Sequence, residues 1–170
     1  MKEKLLKNRL VVAPMSRASA TADGTPTADM ETYYENFAKG GFGLIITEGV
    51  YPDEQYGSGY AHQPGMVNGS HEAAWKKVAE KIKAHGSIPI MQIMHAGALS
   101  QYHKKTIAPS VVIPIGRTLQ VYDGPRTYPT PSRAMTQGDI DDVIGQFAAA
   151  ALRAEQSGFD GVEVHAMGIY

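Results

Sequence analysis

Short apolar segments alternate with segments of helical periodicity along this chain, and that alternation limits the fold more than any other feature of the sequence. Four segments are rich in apolar and β-branched residues, are too short for helices and predict buried strands: residues 9–14, 44–47, 88–93 and 162–165. Helical segments separate them, which gives the order β-α-β-α-β-loop-α-β. This order predicts an α/β fold, in which a parallel sheet covered by helices is either doubly wound or closed as a barrel.

Capping residues and apolar stripes define the first two helices. The first covers residues 29–39 and ends at Gly40 and Gly41, the residue type that tolerates the left-handed conformation after a helix. The second is predicted to be capped by Ser70 and to end at Gly86. Its apolar stripe, at helical spacing, contains Trp75, Val78, Ala79 and Ile82.

A long connection precedes the third helix. Residues 97–136 have no helical period, and the Pro, Gly and Tyr content of residues 121–128 predicts a lid or a hairpin inserted after the third strand. A capping-box pattern then runs from Thr136 to Asp139, and Gly158 ends the helix. The predicted apolar face of this helix contains Ile140, Val143, Ile144, Phe147, Ala151 and Ala154.

The composition is typical of a soluble globular domain. The chain has 170 residues, of which 43% are hydrophobic and 19% charged, and its formal net charge is −1. We expect no nucleic-acid or anionic-membrane partner, because Lys and Arg are balanced by Asp and Glu. The absence of cysteine excludes disulfides, thiolate metal sites and a cysteine nucleophile, and it fits a cytoplasmic location. The six histidines lack metal-binding spacings, so we expect no metal site.

Polar residues and glycines follow all four predicted strands. The segments at these positions are residues 13–17, 47–49, 92–95 and 165–170. Because the carboxyl ends of parallel strands meet at one edge of the sheet, we expect these segments to lie close together. A lone strand-end Gln or His is more often structural than functional. Repetition at four equivalent positions favours a functional site.

Four segments resemble, in order and spacing, the old yellow enzyme family of flavin-dependent ene-reductases. They are KNRLVVAPMSR (7–17), GGFGLIITEGV (40–50), AWKKVAEKIKAHGSIPIMQIMHAG (74–97) and SGFDGVEVH (157–165). The resemblance extends through essentially the whole chain. It implies a (βα)8 TIM barrel that binds FMN at the carboxyl ends of its strands, with the four strands of this chain forming the first half.

The resemblance also implies which residues contact the flavin. The backbone of the segment after the first strand contacts the flavin, and a hydroxyl near the flavin O4 tunes its reduction potential by hydrogen bonding. A glycine lets the backbone approach the ring, and an amide pairs with the pyrimidine edge. These positions are Ala13, Pro14, Met15, Ser16, Gly49 and Gln92. An amide suits that edge because it carries both a donor and an acceptor in one neutral group.

His165 and Tyr170 are the catalytic residues that the resemblance implies. His165 matches the residue that binds a substrate oxygen beside the flavin, and Tyr170 matches a tyrosine proton donor. NADH or NADPH would reduce the flavin, which would then reduce a small-molecule alkene activated by an electron-withdrawing group. Gly168 departs from the family, which usually has Asn or His there to complete a two-donor clamp on the substrate.

The length of the chain implies an incomplete barrel. A (βα)8 barrel needs about 250 residues, so we expect residues 1–170 to form a single incomplete domain with open apolar edges at its first and fourth strands. We therefore expect an oligomer, formed with itself or with a companion half-barrel chain, rather than a stable monomer. Two functions remain open: a flavin-dependent oxidoreductase that needs the other half, and a non-catalytic half-barrel, either a fragment or an assembly module, that self-associates without binding flavin.

Overall fold

Strands and helices alternate along the chain in the predicted order. The computed structural model describes residues 4–118, 127–128, 131 and 133–166. In chain order the elements are β1 (Val11–Val12), α1 (Ala28–Lys39), β2 (Leu44–Ile46), α2 (Gly69–Ala84), β3 (Ile88–Ile93), a 3-10 turn (Gly97–Leu99), β4 (Ile107–Ala108), β5 (Arg133–Ala134), α3 (Gln137–Gln156) and β6 (Gly161–Val164).

The main sheet has four parallel strands in the order β1-β2-β3-β6. Val12 pairs with Ile45, Ile46 with Ile90, and Gln92 with Glu163 on β6. Each new strand is added to the same edge, whereas a doubly wound sheet reverses direction at a switch point. Since crossovers between parallel strands are right-handed, this order puts the helices on one face. The sheet is therefore wound as in a barrel.

The hydrophobic core lies between the sheet and the three helices. Trp75 of α2 is fully buried at its centre, and its Nε1 donates a hydrogen bond to the carbonyl of Gly65 at 3.0 Å. The other large side chains of this core include Met30 and Tyr34 of α1, Val78 and Ile82 of α2, Ile45, Met91 and Ile93 of the sheet, Met66 and Phe159. The predicted stripe of α2 is confirmed, because all four of its residues are buried.

The helix ends are as predicted with one exception. Gly41, Gly86 and Gly158 have φ angles of 92°, 70° and 88°, so each occupies the left-handed region after a helix. The predicted cap of α2 is wrong: the helix begins at Gly69, and Asn68 rather than Ser70 caps it by accepting a hydrogen bond from the backbone N–H of His71 at 3.0 Å. Both residue types cap helices well, and only the tertiary position of the preceding loop selects one.

The N-terminal part of α3 departs from the prediction. Thr136 and Asp139 form the predicted capping box. However, the two buried residues of α3 are Ala150 and Ala154, and Ile144 of the predicted apolar face is 62% exposed. The C-terminal part of the predicted face packs on the core, since Ala154 is buried and Phe147 and Ala151 pack against it. Ile140 and Ile144 at its N-terminal part are exposed, because β6 is the last strand of the sheet and no described element lies beyond it.

The connection between β3 and α3 is only partly described. Its two short strands, β4 and β5, pair in parallel beside the main sheet, with Ile107 opposite Arg133. The predicted lid or hairpin at residues 121–128 falls largely on residues 119–126, which lie outside the described part of the chain. It stays a prediction.

Candidate functional site

The strand exits bring most of the predicted site residues to one edge of the main sheet. Neighbouring exits are joined by backbone hydrogen bonds, from Val50 N–H to the carbonyl of Gln92 and from His165 N–H to the carbonyl of Ile93, both at 2.9 Å. Gln92 is buried and His165 is half-buried. Tyr170 and Gly168 lie outside the described residues, so their positions stay predictions.

The segment after β1 is the most open part of this edge. Met15 is 46% exposed and Ala13 is also exposed, whereas Pro14 and Ser16 are half-buried. This segment is therefore partly open to solvent, and the main-chain contact with a ligand that the family resemblance implies stays a prediction.

Gly49 is a position where a side chain does not fit. A Cβ atom there would lie 2.8 Å from Met94 Sδ and 3.4 Å from Gln92 Oε1. Its carbonyl is fixed by Gln63, whose Nε2 donates at 2.8 Å, while Gln63 Oε1 accepts from the N–H of Gly59 at 2.7 Å. The glycine therefore lets the backbone pack closely against Met94, directly beside the amide of Gln92.

The amide of Gln92 is fixed by a neighbour on the next strand. Gln92 Nε2 donates a hydrogen bond to Glu163 Oε1 at 2.6 Å, and the two residues are register partners on β3 and β6. Gln92 is 6% exposed and Glu163 is half-buried. The sequence analysis identified Gln92 but missed Glu163. A charged residue in the middle of a predicted buried strand was the available signal.

A buried carboxylate holds the segment after β1 in place. Glu48 is 1% exposed, and its Oε2 accepts hydrogen bonds from the backbone N–H groups of Arg17 at 2.8 Å and Ala18 at 3.0 Å. Ala18 has a φ angle of 50°, which orients the two consecutive N–H groups towards one oxygen. The hydroxyl of Tyr34 on α1 donates to Glu48 Oε1 at 3.3 Å and accepts from the Glu48 N–H at 2.9 Å.

Burial has the largest effect on the pKa values of Glu48 and Tyr34. Burial raises the pKa of Glu48, although the hydrogen bonds from Arg17 and Ala18 oppose the rise. The pKa of Tyr34 is raised well above its ordinary value by burial and by the adjacent carboxylate, so the phenol stays protonated. Glu48 belongs to the predicted strand-exit segment 47–49 but was given no role there, and Tyr34 was not predicted as part of the site.

A carboxylate–imidazole pair lies behind the exit of β3. His95 Nε2 is 3.4 Å from Asp53 Oδ2, within ion-pair range but not aligned as a hydrogen bond, and His95 Nδ1 accepts from the N–H of Gly97 at 3.1 Å. Burial opposes ionisation of Asp53, but His95 and two backbone N–H groups outweigh it and lower its pKa. Both ring nitrogens of His95 thus face the protein, which favours a structural role for this residue.

An apolar cavity adjoins His165. Its volume is about 210 Å³, and its lining includes His95, Ile107, Ala108, Met135 and Phe147. It therefore places a small apolar space next to an imidazole at the exit of β6. In the described part of the chain, no group of three or more His, Asp or Glu side chains could hold a metal ion. No helix among these residues has the length and apolar character needed to cross a membrane.

Residues 1–170 match the sequence model of the family described as NADH:flavin oxidoreductase / NADH oxidase. The chain is 38% identical over 162 residues to a putative 12-oxophytodienoate reductase 12 of Oryza sativa subsp. japonica, covering 95% of this chain and 39% of that protein. It is 34% identical over 169 residues to a probable flavin mononucleotide-dependent alkene reductase of Leishmania infantum, covering 94% of this chain and 45% of that protein.

The structure is similar to that of the old yellow enzyme homologue from Zymomonas mobilis. The TM-score is 0.82 at 30% identity, and the match covers 94% of this chain and 44% of the homologue. The chain spans less than half the length of the curated relatives that it matches. The resemblance found in the sequence and the predicted fold class, part of a TIM barrel, are both confirmed.

Proposed function

Because the chain belongs to the NADH:flavin oxidoreductase / NADH oxidase family, we propose that its strand exits form half of a site that binds FMN for the NAD(P)H-driven reduction of an activated carbon–carbon double bond. The single observation that carries this proposal is the fixed amide of Gln92 at the exit of β3, beside the closely packed backbone of Gly49. The amide offers an acceptor and a donor, and this pair of groups complements the edge of a flat heterocyclic ring.

The residues present fit FMN on chemical grounds. The pyrimidine edge of a flavin has an N–H donor between carbonyl acceptors, which Gln92 complements. Ala13 and Met15 are exposed residues whose main chain would contact the flavin, and the Ser16 hydroxyl can donate to a carbonyl oxygen. When bound, FMN supplies the transfer of hydride from the nicotinamide to the substrate.

On the substrate side, we assign two roles. His165 donates a hydrogen bond to the carbonyl-type oxygen of the alkene substrate and stabilises the negative charge that develops there. Tyr170 gives the proton of its hydroxyl to the carbon next to the activating group, as a general acid. The apolar cavity beside His165 accommodates the hydrocarbon part of a small substrate.

The proposed site needs a second half-barrel. Val162 and Val164 on the edge strand β6 are 38% and 58% exposed, and Leu10 and Val11 at the β1 edge are 54% and 45% exposed. Exposed apolar edge strands pair readily with other strands. We propose that a companion half-barrel or a second copy of this chain pairs with both edges and supplies the rest of the cofactor site.

A titration of FMN fluorescence tests the proposal. The purified chain is titrated alone, over a range of its own concentrations, together with Gln92→Leu and the matched control Gln156→Leu, which alters an exposed glutamine at the end of α3. We expect saturable quenching at micromolar affinity for the wild type and the control, and about tenfold weaker binding for Gln92→Leu, the value of one buried hydrogen bond.

The competing function gives a different result. A non-catalytic half-barrel self-associates but does not quench FMN at any chain concentration. If the wild type binds FMN, bleaching of the flavin absorbance by NADH or NADPH and turnover of an enone follow as the next measurements. Equal FMN affinities of Gln92→Leu and Gln156→Leu would show that the Gln92 amide does not contribute to FMN binding.

A further inference from the structure

A second cavity lies among the loops that follow the first three strands of the main sheet. Its volume is about 220 Å³. Three loops contribute its polar and aromatic lining, which includes Asp23 after β1, Tyr51, Glu54 and Tyr60 after β2, and Tyr102 and His103 after β3. None of the described residues that are predicted to contact flavin or substrate lines it. The cavity is therefore separate from the candidate site.

Hydrogen bonds between the three loops hold the walls of this cavity in place. The hydroxyl of Tyr51 donates to the carbonyl of Asp23 at 3.0 Å, which joins the loops after β1 and β2. Ser100 Oγ donates to the carbonyl of Ser58 at 2.7 Å and accepts from the N–H of His103 at 3.0 Å. The segment after β3 is thus joined to the loop after β2. Walls fixed in this way form a cavity before any ligand binds.

The lining of this cavity carries negative charge. It includes the carboxylates of Asp23 and Glu54, and no Lys or Arg belongs to the part of the lining that the structure describes. Hydrogen bonds from two neighbouring threonines lower the pKa of Asp23, so its carboxylate is ionised at neutral pH. Lys104 and Lys105, which follow the lining in sequence, are exposed and point to no neutralising role within it.

The phenol of Tyr51 is sensitive to this negative charge. Its pKa is raised to about 12, first by burial and then by the charges of Glu54 and Asp23. An electrostatic field that disfavours a phenolate favours a cation in the same space. His103 does not cancel the field, because burial lowers the pKa of its imidazole and keeps it neutral at neutral pH. The cavity therefore attracts cations and repels anions.

The remaining lining fits a small organic cation rather than a metal ion. Tyr51, Tyr60 and Tyr102 contribute aromatic rings, which attract cations. His103 Nε2 is buried and has no hydrogen-bond partner among the described residues, and a neutral imidazole can accept a hydrogen bond from an ammonium group. The His, Asp and Glu side chains of these residues form no group of three that suits a metal. The volume is below the roughly 300–1,000 Å³ of sites for drug-sized ligands, so the ligand is small.

We propose that this cavity is a binding site for a primary alkylammonium ion. The ammonium group binds at the carboxylates of Asp23 and Glu54, and the hydrocarbon part packs against the tyrosine rings. The site is additional to the proposed flavin site and does not depend on it. The two are nevertheless neighbours, because Gln63 lines the cavity and its Nε2 donates to the carbonyl of Gly49 at 2.8 Å.

A titration followed by ¹H–¹⁵N NMR tests the class of ligand in the absence of flavin. The purified chain is titrated with n-butylammonium and with 1-butanol, which has the same carbon chain but no charge. We expect saturable shifts of the amide signals of Glu54 and Tyr102 with n-butylammonium at a Kd of about 1 mM, and binding of 1-butanol at least about tenfold weaker. Equal affinities for the two compounds, or shifts that do not saturate, overturn the proposal.

Matched variants locate the bound cation. Glu54→Gln should weaken n-butylammonium binding about tenfold, whereas Glu80→Gln, which changes an exposed carboxylate on α2, should leave it unchanged. Tyr102→Leu should weaken binding about fivefold, and Tyr102→Phe, which keeps the ring, should bind as the wild type does. Glu54 and Tyr102 are exposed, so these substitutions leave the core intact. Equal losses in the two glutamate variants, or an unchanged affinity in Tyr102→Leu, overturn the proposal.

Discussion

Replacement of Glu48 tests how the segment after β1 is held. Its carboxylate is 1% exposed and accepts hydrogen bonds from the N–H groups of Arg17 and Ala18 and from the hydroxyl of Tyr34. Glu48→Leu removes the acceptor for all three donors at nearly constant side-chain volume. Glu48→Gln keeps one carbonyl oxygen in a position to accept from both backbone N–H groups.

The expected loss of stability follows from these three donors. Each buried donor without an acceptor costs about 1–3 kcal/mol. Arg17 lies near solvent, so part of the loss is recovered through water. We expect Glu48→Leu to lower the free energy of unfolding by about 3–5 kcal/mol and Glu48→Gln by about 1–2 kcal/mol. The larger loss is a considerable share of the roughly 5–15 kcal/mol that stabilises a typical domain.

Urea unfolding and amide hydrogen exchange measure this effect. Glu80→Leu, which changes an exposed carboxylate on α2, is the matched control and should shift stability by less than about 0.5 kcal/mol. Exchange at Arg17 and Ala18 should accelerate in Glu48→Leu more than exchange at Trp75 in the core. The reasoning is wrong if Glu48→Leu is as stable as Glu48→Gln, or if exchange at these two amides does not change.

The pH dependence gives a second test of the same residue. Burial raises the pKa of Glu48, so the folded state binds its proton more tightly than the unfolded state does. The resulting stabilisation is fully present below the ordinary pKa of an unfolded glutamate and is lost as the pH rises through the raised value. Glu48→Gln lacks this component, so the stability of the wild type relative to this variant should decrease with rising pH in that window. A difference that increases with pH contradicts the assignment.

Two further predictions concern the helix cap and the open edge. Asn68→Ala should lower the free energy of unfolding by about 1 kcal/mol because it removes the cap of α2, whereas Ser70→Ala should change it by less than about 0.5 kcal/mol; equal effects in urea unfolding would contradict the observed cap. Val164→Lys places a charge on the exposed edge strand β6 and should lower the average mass measured by light scattering, relative to a self-associating wild type. An unchanged mass would exclude this edge from the contact.

The elements of the fold could be predicted because their signals are local. The apolar run at β3 coincides with the observed strand Ile88–Ile93, and glycines such as Gly41 mark helix ends because few other residues adopt a positive φ angle. The face of α3 could not be predicted in the same way. Periodicity shows that Ile144 belongs to an apolar face, but burial of that face depends on whether another element is packed against it.

The candidate site shows the same division between local and tertiary signals. Gly49 and Gln92 could be identified because strand exits converge in parallel α/β folds, and the structure places the Gln92 amide next to the backbone of Gly49. The roles of Glu48 and Glu163 were missed because they are defined only by contacts between elements that are distant in the sequence. A carboxylate within or directly after a buried apolar strand is still visible in the sequence. Such a residue must find hydrogen-bond partners inside the fold, and this requirement is a usable signal.

The polar contacts at the strand exits form a connected series across the whole sheet. Glu48 joins the segment after β1 to β2, the Thr47 hydroxyl accepts from the N–H of Gln92 and joins β2 to β3, and Gln92 joins β3 to Glu163 on β6. Every link connects neighbouring strands within this chain, so the geometry of the half-site is fixed by the chain itself. A second half-barrel would then add contacts to the ligand without setting the positions of these residues. Substitutions in this series should therefore change ligand affinity without changing the oligomeric state. Val164→Lys should instead change the oligomeric state.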